Sequence, residues 1–142
     1  IELLDEKKII LQAIDRDEEE VYNWMPSLPI NGKLDLLKGV YNRIQKDYGI
    51  GEKGFRLSTF VDAPAGSGLG TSSTLVVAII GAFTEMLRLP LGEYDMAHYA
   101  YEIERNDLKL AGGEQDQYAA TFGGVNYMEL YGDDTDKAGV FV

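Results

Sequence analysis

The sequence predicts an α+β domain in which helices pack on a mixed or antiparallel sheet. Three observations carry that expectation. Short stretches of alternating apolar and polar residues are interleaved with stretches whose apolar residues recur at helical spacing. One helix-length segment, from about Thr71 to Leu87, is apolar almost all round, which places it centrally rather than on a surface. The chain has 142 residues, 45% of them hydrophobic, enough for one core, and shows no repeat, low-complexity tract or interdomain linker.

Ile1–Leu4 and Lys8–Ile14 read as two strands around the polar turn "DEKK". The acidic run "DRDEEE" reads as a solvated loop or strand end. "NWMPSLPING" carries two prolines and an Asn-Gly, so it is an irregular connection. Leu34, Leu37, Val40, Tyr41, Ile44 and Tyr48 then share one helical face, with Asn31 or Gly32 to start the helix and Gly49 to end it. "GFRLSTFVDA" alternates as a strand does. A glycine-rich loop and the long apolar helix follow, and Pro90 closes that helix. A third helix is expected from about Gly92 to Asp107 and a short one over Gln115–Thr121. "GGVNYMEL" reads as a strand and "YGDDTD" as a turn.

The formal net charge is −11 and the pI about 4.4. Such a surface argues against nucleic acid and against anionic membranes as partners. It leaves room for an anionic small ligand, which backbone N–H groups and a metal ion can hold inside an acidic protein. There is no cysteine, which excludes disulfides, thiolate chemistry and Cys-ligated metals. His98 is the single histidine, so a multi-His metal site is excluded. The longest apolar run, Leu75–Phe83, is far short of the ~18 residues of a membrane span. No signal pattern opens the chain, and a cytoplasmic enzyme is the expectation. The first residue is not Met, so a piece of a longer chain is expected.

The order strand, glycine loop, helix in "DAPAGSGLGTSST" suits an anion. Glycines allow left-handed backbone and a close approach, and the N–H groups that open the following helix point at negative charge. Thr71, Ser72 and Ser73 add hydroxyls at the first helical turn, where one can cap the helix and another can meet a metal ion. The P-loop pattern fails for want of its lysine, and the dinucleotide fingerprint fails because the third glycine comes one residue early, at Gly70. A plain glycine turn with a Ser/Thr cap stays open on the loop alone.

Two acids follow. On a helical wheel of 100° per residue, Met96, Ala97, Ala100, Tyr101 and Ile103 form an apolar stripe with Glu104 near its centre. A carboxylate there needs a cationic partner, either a Lys or Arg or a Mg²⁺ ion. His98, Glu102 and Arg105 fall on the other side and read as a solvated face. Asp116 stands between the glycine pairs Gly112–Gly113 and Gly123–Gly124. It suits either a helix cap or a carboxylate that orients an acceptor hydroxyl.

"PAGSGLGTSST" closely resembles the second motif of the GHMP kinases, approximately P-x-G-x-G-L-G-S-S-A. Pro64, Gly66, Gly68, Leu69, Gly70 and Ser72 match it, and Thr71 keeps a hydroxyl. Gly113-Glu114-Gln115-Asp116-Gln117 resembles the G-x-x-D-Q of that family's sugar kinases, and Glu104–Arg105 resembles the upstream Glu-Arg. The likeness runs over roughly residues 34 to 130 and is strongest to members that act on a phosphorylated heptose.

The resemblance implies the family's N-terminal, ATP-binding domain over residues 1–142, incomplete and without the C-terminal domain. It implies ATP held by Pro64, Gly66, Ser67, Gly68, Leu69, Gly70, Thr71, Ser72 and Ser73, with Mg²⁺ on Ser72 and Glu104. It implies Asp116 as the catalytic acid, acting on the anomeric hydroxyl of a sugar phosphate. The family's N-terminal motif and its glycine-rich third motif are not in the sequence, so little or no kinase activity is expected of these residues alone. Oligomeric state is open, a homodimer being among the states allowed.

Overall fold

The computed structural model describes residues 1–64, 66–131 and 139–141, and for residues 130, 131 and 139–141 the backbone alone. The elements run β1 (Glu2–Leu4), β2 (Lys8–Ala13), β3 (Glu18–Asn23), α1 (Asp35–Tyr48), β4 (Gly54–Thr59), α2 (Thr71–Leu87), α3 (Glu93–Glu102), α4 (Gln115–Phe122), β5 (Glu129–Tyr131) and β6 (Gly139–Phe141). A 3₁₀ turn, Ile14–Arg16, joins β2 to β3, and a π-helical turn, Ile103–Asp107, continues α3.

The sheet is mixed, as expected, with strand order β1-β4-β2-β3. β4 pairs antiparallel with β1 and parallel with β2, in a register that sets Ile9 beside Phe55 and Leu11 beside Leu57. β1 and β2 are therefore not neighbours, although only a short polar turn separates them in sequence. The acidic run is also more than a loop. Glu18–Asn23 is a full edge strand antiparallel to β2. Its Glu20 reaches the fully buried Lys38 of α1 at 2.5 Å, and Lys38 also donates to Asn31 Oδ1 at 2.9 Å. Burial alone would push the Lys38 ammonium down, but its hydrogen bonds to Glu20 and Tyr22 hold it above the ordinary lysine value.

Alternate residues of β2 and β4 supply one wall of the core: Ile9, Leu11, Phe55 and Leu57 are all at most 2% exposed. Val40, Tyr41 and Ile44 of α1 and Ile79, Ile80 and Phe83 of α2 close over them. The Phe55 ring stands 5.4 Å from Tyr41 in a tilted pair and 5.5 Å from Phe83 edge to face, joining the sheet to both helices. Truncating Phe55 to Ala would cost about 3–5 kcal/mol. α2 is central: α1, α3 and α4 all pack on it, which explains its lack of a polar face.

Element ends differ from the sequence expectations in four places. α1 begins at Asp35, after Leu34 in the left-handed region (φ 53°), because the Asp35 carboxylate accepts the N–H groups of Asn31 and Gly32. Gly49 ends it as expected, donating to Gln45 O. β4 stops at Thr59, and Phe60 is 64% exposed. The third helix leaves α geometry after Glu102. The expected strand over 123–130 shrinks to Glu129–Tyr131, and most of the expected "YGDDTD" turn lies outside the described residues. Among the described residues no helix is long and apolar enough to cross a membrane.

Candidate functional site

The glycine loop leaves the sheet after β4 and delivers the chain to α2. Ser67 donates its N–H to Pro64 O at 3.2 Å, a turn at the loop's start. Gly70, at φ 68° and ψ 30°, occupies the position just before the helix. No side chain caps α2. Thr74 folds back instead, its N–H and hydroxyl both donating to Gly70 O at 3.0 and 2.8 Å. The first-turn N–H groups of Thr71, Ser72 and Ser73 have no partner within the helix, at the positive end of a 17-residue helix.

The three hydroxyls of that turn face different ways. Ser73 is buried and donates to Glu104 Oε2 at 3.0 Å. Gln117 of α4, fully buried, donates from Nε2 to Ser73 Oγ at 3.3 Å. Ser72 is exposed and lines the cavity beside them. Thr71 and Ser72 also line an adjoining hollow of about 300 Å³. Ser73 rather than Ser72 is therefore the serine in contact with Glu104.

Glu104 sits in the π turn, which Leu108 N–H closes on Ile103 O at 2.9 Å. Its side chain is only 2% exposed. Oε2 takes both Ser73 and Arg105 Nη1, the latter at 3.3 Å. Oε1 is buried with no hydrogen-bond partner. A half-satisfied buried carboxylate is costly unless a cation completes it.

Asp116 lies in the first turn of α4, exposed, and caps nothing: the cap position is Glu114, and no side chain caps the helix. Its carboxylate packs against Gly70. A cavity of about 580 Å³ brings together Ser72, Ser73, Glu104, Arg105, Gly113 and Asp116. Pro64, Gly66, Ser67, Gly68, Leu69 and Gly70 stand outside its walls, and Leu69 is 69% exposed.

Arg105 is the residue that sequence reasoning misplaced. Its side chain is 15% exposed and turns inward. The helical wheel assumed 100° per residue, and the π turn changes that phase at the residue in question. His98 and Glu102 do stay part-exposed, 3.3 Å apart, with Glu102 also held by Arg43 at 2.7 Å.

The donor set fits a hard cation of the Mg²⁺ type. Glu104 Oε1 is an unpartnered buried carboxylate oxygen, and the Ser72 hydroxyl shares its cavity. Among the described residues no group of three or more His, Cys, Asp or Glu could hold a metal unaided. Mg²⁺ usually takes one or two carboxylates and completes its shell with water and substrate phosphate.

Comparison with known proteins places the chain in a family. Residues 35–124 match the model of the GHMP kinases N terminal domain. The D-glycero-alpha-D-manno-heptose 7-phosphate kinase of Campylobacter jejuni is 54% identical over 127 residues, 89% of this chain and 38% of that protein. A galactokinase of Thermococcus kodakarensis is 33% identical over 94 residues, 66% of this chain and 26% of that protein. The crystal structure of a D-glycero-D-manno-heptose 1-phosphate kinase from Bacteroides thetaiotaomicron superposes with a TM-score of 0.91 at 52% identity, over 99% of this chain and 44% of that one. The chain thus spans less than half the length of these relatives. The strand–glycine loop–helix unit, the buried glutamate and the family match over 35–124 lead to one conclusion: the chain belongs to the GHMP kinase family.

Proposed function

We propose that residues 1–142 form part of the ATP-binding N-terminal domain of a sugar kinase whose C-terminal domain lies outside this chain. The kinase transfers the γ-phosphoryl group of ATP to the anomeric hydroxyl of D-glycero-D-manno-heptose 7-phosphate. The acceptor oxygen attacks the γ-phosphorus in line, the bond to the β–γ bridging oxygen breaks, and ADP leaves. The 54% identity to a heptose 7-phosphate kinase supports this acceptor class.

The observation that carries the reading is the meeting of Glu104, Asp116 and the opening of α2 at one cavity. Backbone N–H groups from Gly66 to Ser73 hold the β- and γ-phosphates. Ser72 and the free oxygen of Glu104 would hold Mg²⁺, which neutralises charge on the phosphates when bound. Asp116 orients the acceptor hydroxyl and takes its proton. Such a loose transition state asks little of a base, so positioning is the larger part of its task.

The test is an acceptor panel with the full-length protein and Mg-ATP: heptose 7-phosphate, galactose, fucose, mevalonate and homoserine. Heptose 7-phosphate should be phosphorylated at the anomeric position with the highest kcat/KM. Preference for another acceptor would move the protein to a different branch of the family. Residues 1–142 alone should show no turnover, and robust activity from them would overturn the incomplete-domain reading.

A further inference from the structure

We propose that Arg105 is a positioning residue that fixes Glu104 and the loop leading to Asp116 in one unit, with Gly112 as its obligate partner. The proposal rests on the kinase reading above for its catalytic consequence, but not for its geometry.

The chain between the π turn and α4 curls around one guanidinium. Arg105 Nε donates to Gly112 O at 2.9 Å and Nη2 to Gly113 O at 2.8 Å. Nη1 donates to Glu104 Oε2 at 3.3 Å and reaches Leu110 O at 3.4 Å. The Tyr101 ring lies beneath at 5.8 Å. Three loop carbonyls and one carboxylate are thus read by a single planar fork. A lysine ammonium, a point charge with three donors, cannot span that set.

The loop answers with glycine. Gly112 has φ 146°, a conformation that side chains rarely adopt. A Cβ there would stand 2.5 Å from Arg105 Nη2 and 3.0 Å from Cζ, so the guanidinium would have to move off its carbonyls. Gly113, next along, is three residues before Asp116 and lines the same cavity. Arg105 therefore joins the two acids mechanically. It occupies Oε2 of Glu104, leaving Oε1 for the cavity, and it sets the path by which the backbone reaches Asp116.

The test uses the full-length protein with Arg105→Lys, Gly112→Ala and the double variant. Hydrogen exchange without substrate should speed up over residues 108–116 in both single variants and stay at the wild-type rate in α1 and the sheet. With Mg-ATP and sugar phosphate, kcat should fall by 30-fold or more while the KM for ATP changes less than threefold. The double variant should be no worse than the poorer single one, because both remove the same clamp.

Gly112→Ala leaves Arg105 intact, so it keeps the test alive if Arg105→Lys folds poorly. Wild-type exchange in the loop, wild-type kcat, or single losses that multiply would each overturn the proposal. If the wild-type protein phosphorylates no acceptor, the kinase reading falls, and loop exchange alone then decides the clamp.

Discussion

The Asp116 carboxylate rests on the bare Cα of Gly70, so closely that a Cβ built there would stand 3.0 Å from Cγ and 3.1 and 3.2 Å from the two carboxyl oxygens. Gly70 is also left-handed, at φ 68°. A side chain at position 70 would push the Asp116 carboxylate back from the first helical turn of α2. Gly70→Ala should cost about 1–2 kcal/mol from the backbone alone. It should cost far more in function, with kcat/KM down about 100-fold and the melting temperature lowered only a few degrees. Kinetics and calorimetry on the same preparation check this, and near-normal turnover would break the link between the two residues.

Asp116→Asn keeps the shape of the side chain and removes its charge. Positioned acid–base groups are worth roughly 10²–10⁴ in rate. We expect kcat to fall in that range and ATP affinity to change less than threefold, because the proposed phosphate contacts come from backbone N–H groups. Equal losses in both would make Asp116 a binding residue instead.

Glu104 should show stability and activity pulling in opposite directions. Its Oε1 is buried and unpaired, so a neutral isostere relieves the desolvation of that oxygen while an amide oxygen can still accept from Ser73 and Arg105. Glu104→Gln should leave the melting temperature unchanged or raise it, while the Mg²⁺ concentration for half-maximal activity rises tenfold or more. Ser73→Ala, which removes one of the two donors to Oε2 and loosens the carboxylate, should raise the Mg²⁺ requirement without abolishing turnover. An unchanged requirement in both variants would remove Glu104 from the metal site.

Asp47 gives a pH signature. Burial works against its charge, but hydrogen bonds from Arg43 at 2.8 Å and from the Tyr99 hydroxyl at 2.8 Å outweigh that and hold the carboxyl below its ordinary value. A lowered folded-state value means the unfolded chain binds the proton first on acidification. The contribution is present in full above the unfolded value of about 3.9 and disappears as pH falls through the lower folded one. Asp47 is partly exposed, so the effect is about 1 kcal/mol. Asp47→Asn should be less stable than wild type at pH 7 in urea unfolding, with the gap closing toward pH 3. A gap that does not depend on pH would point to packing.

What the sequence revealed followed what is local. The bounds of α2 are visible in it because a glycine loop and a long apolar run mark them from within. The α4 helix and the glycine loop were equally plain. Pairing was not: β1 and β2 look like a hairpin until a strand 46 residues downstream of Ile9, at Phe55, separates them. Ser73 and Ser72 are adjacent hydroxyls, and only the rotation of α2 against the π turn decides which meets Glu104. Arg105 was hidden by the wheel itself, since an i→i+5 turn is invisible to a period of 3.6. The pairing of Glu20 with Lys38 was missed because a run of like charges reads as solvent-facing, whatever cation lies beneath it.

The place of β4 in the sheet bears on how the chain is born. β1 and β2 emerge from the ribosome together, and about forty residues pass before their common neighbour appears. During that interval the two strands are free to pair with each other in a hairpin that the native sheet forbids. β4 must then enter between them, with α1 already swung across, for the parallel ladder to form. Pairing at this sequence distance is slow, and any such hairpin must open before it. The β2–β3 pair is complete once residue 23 is out, but the four-strand order cannot be completed until residue 59 has followed, with the glycine loop only a few residues later.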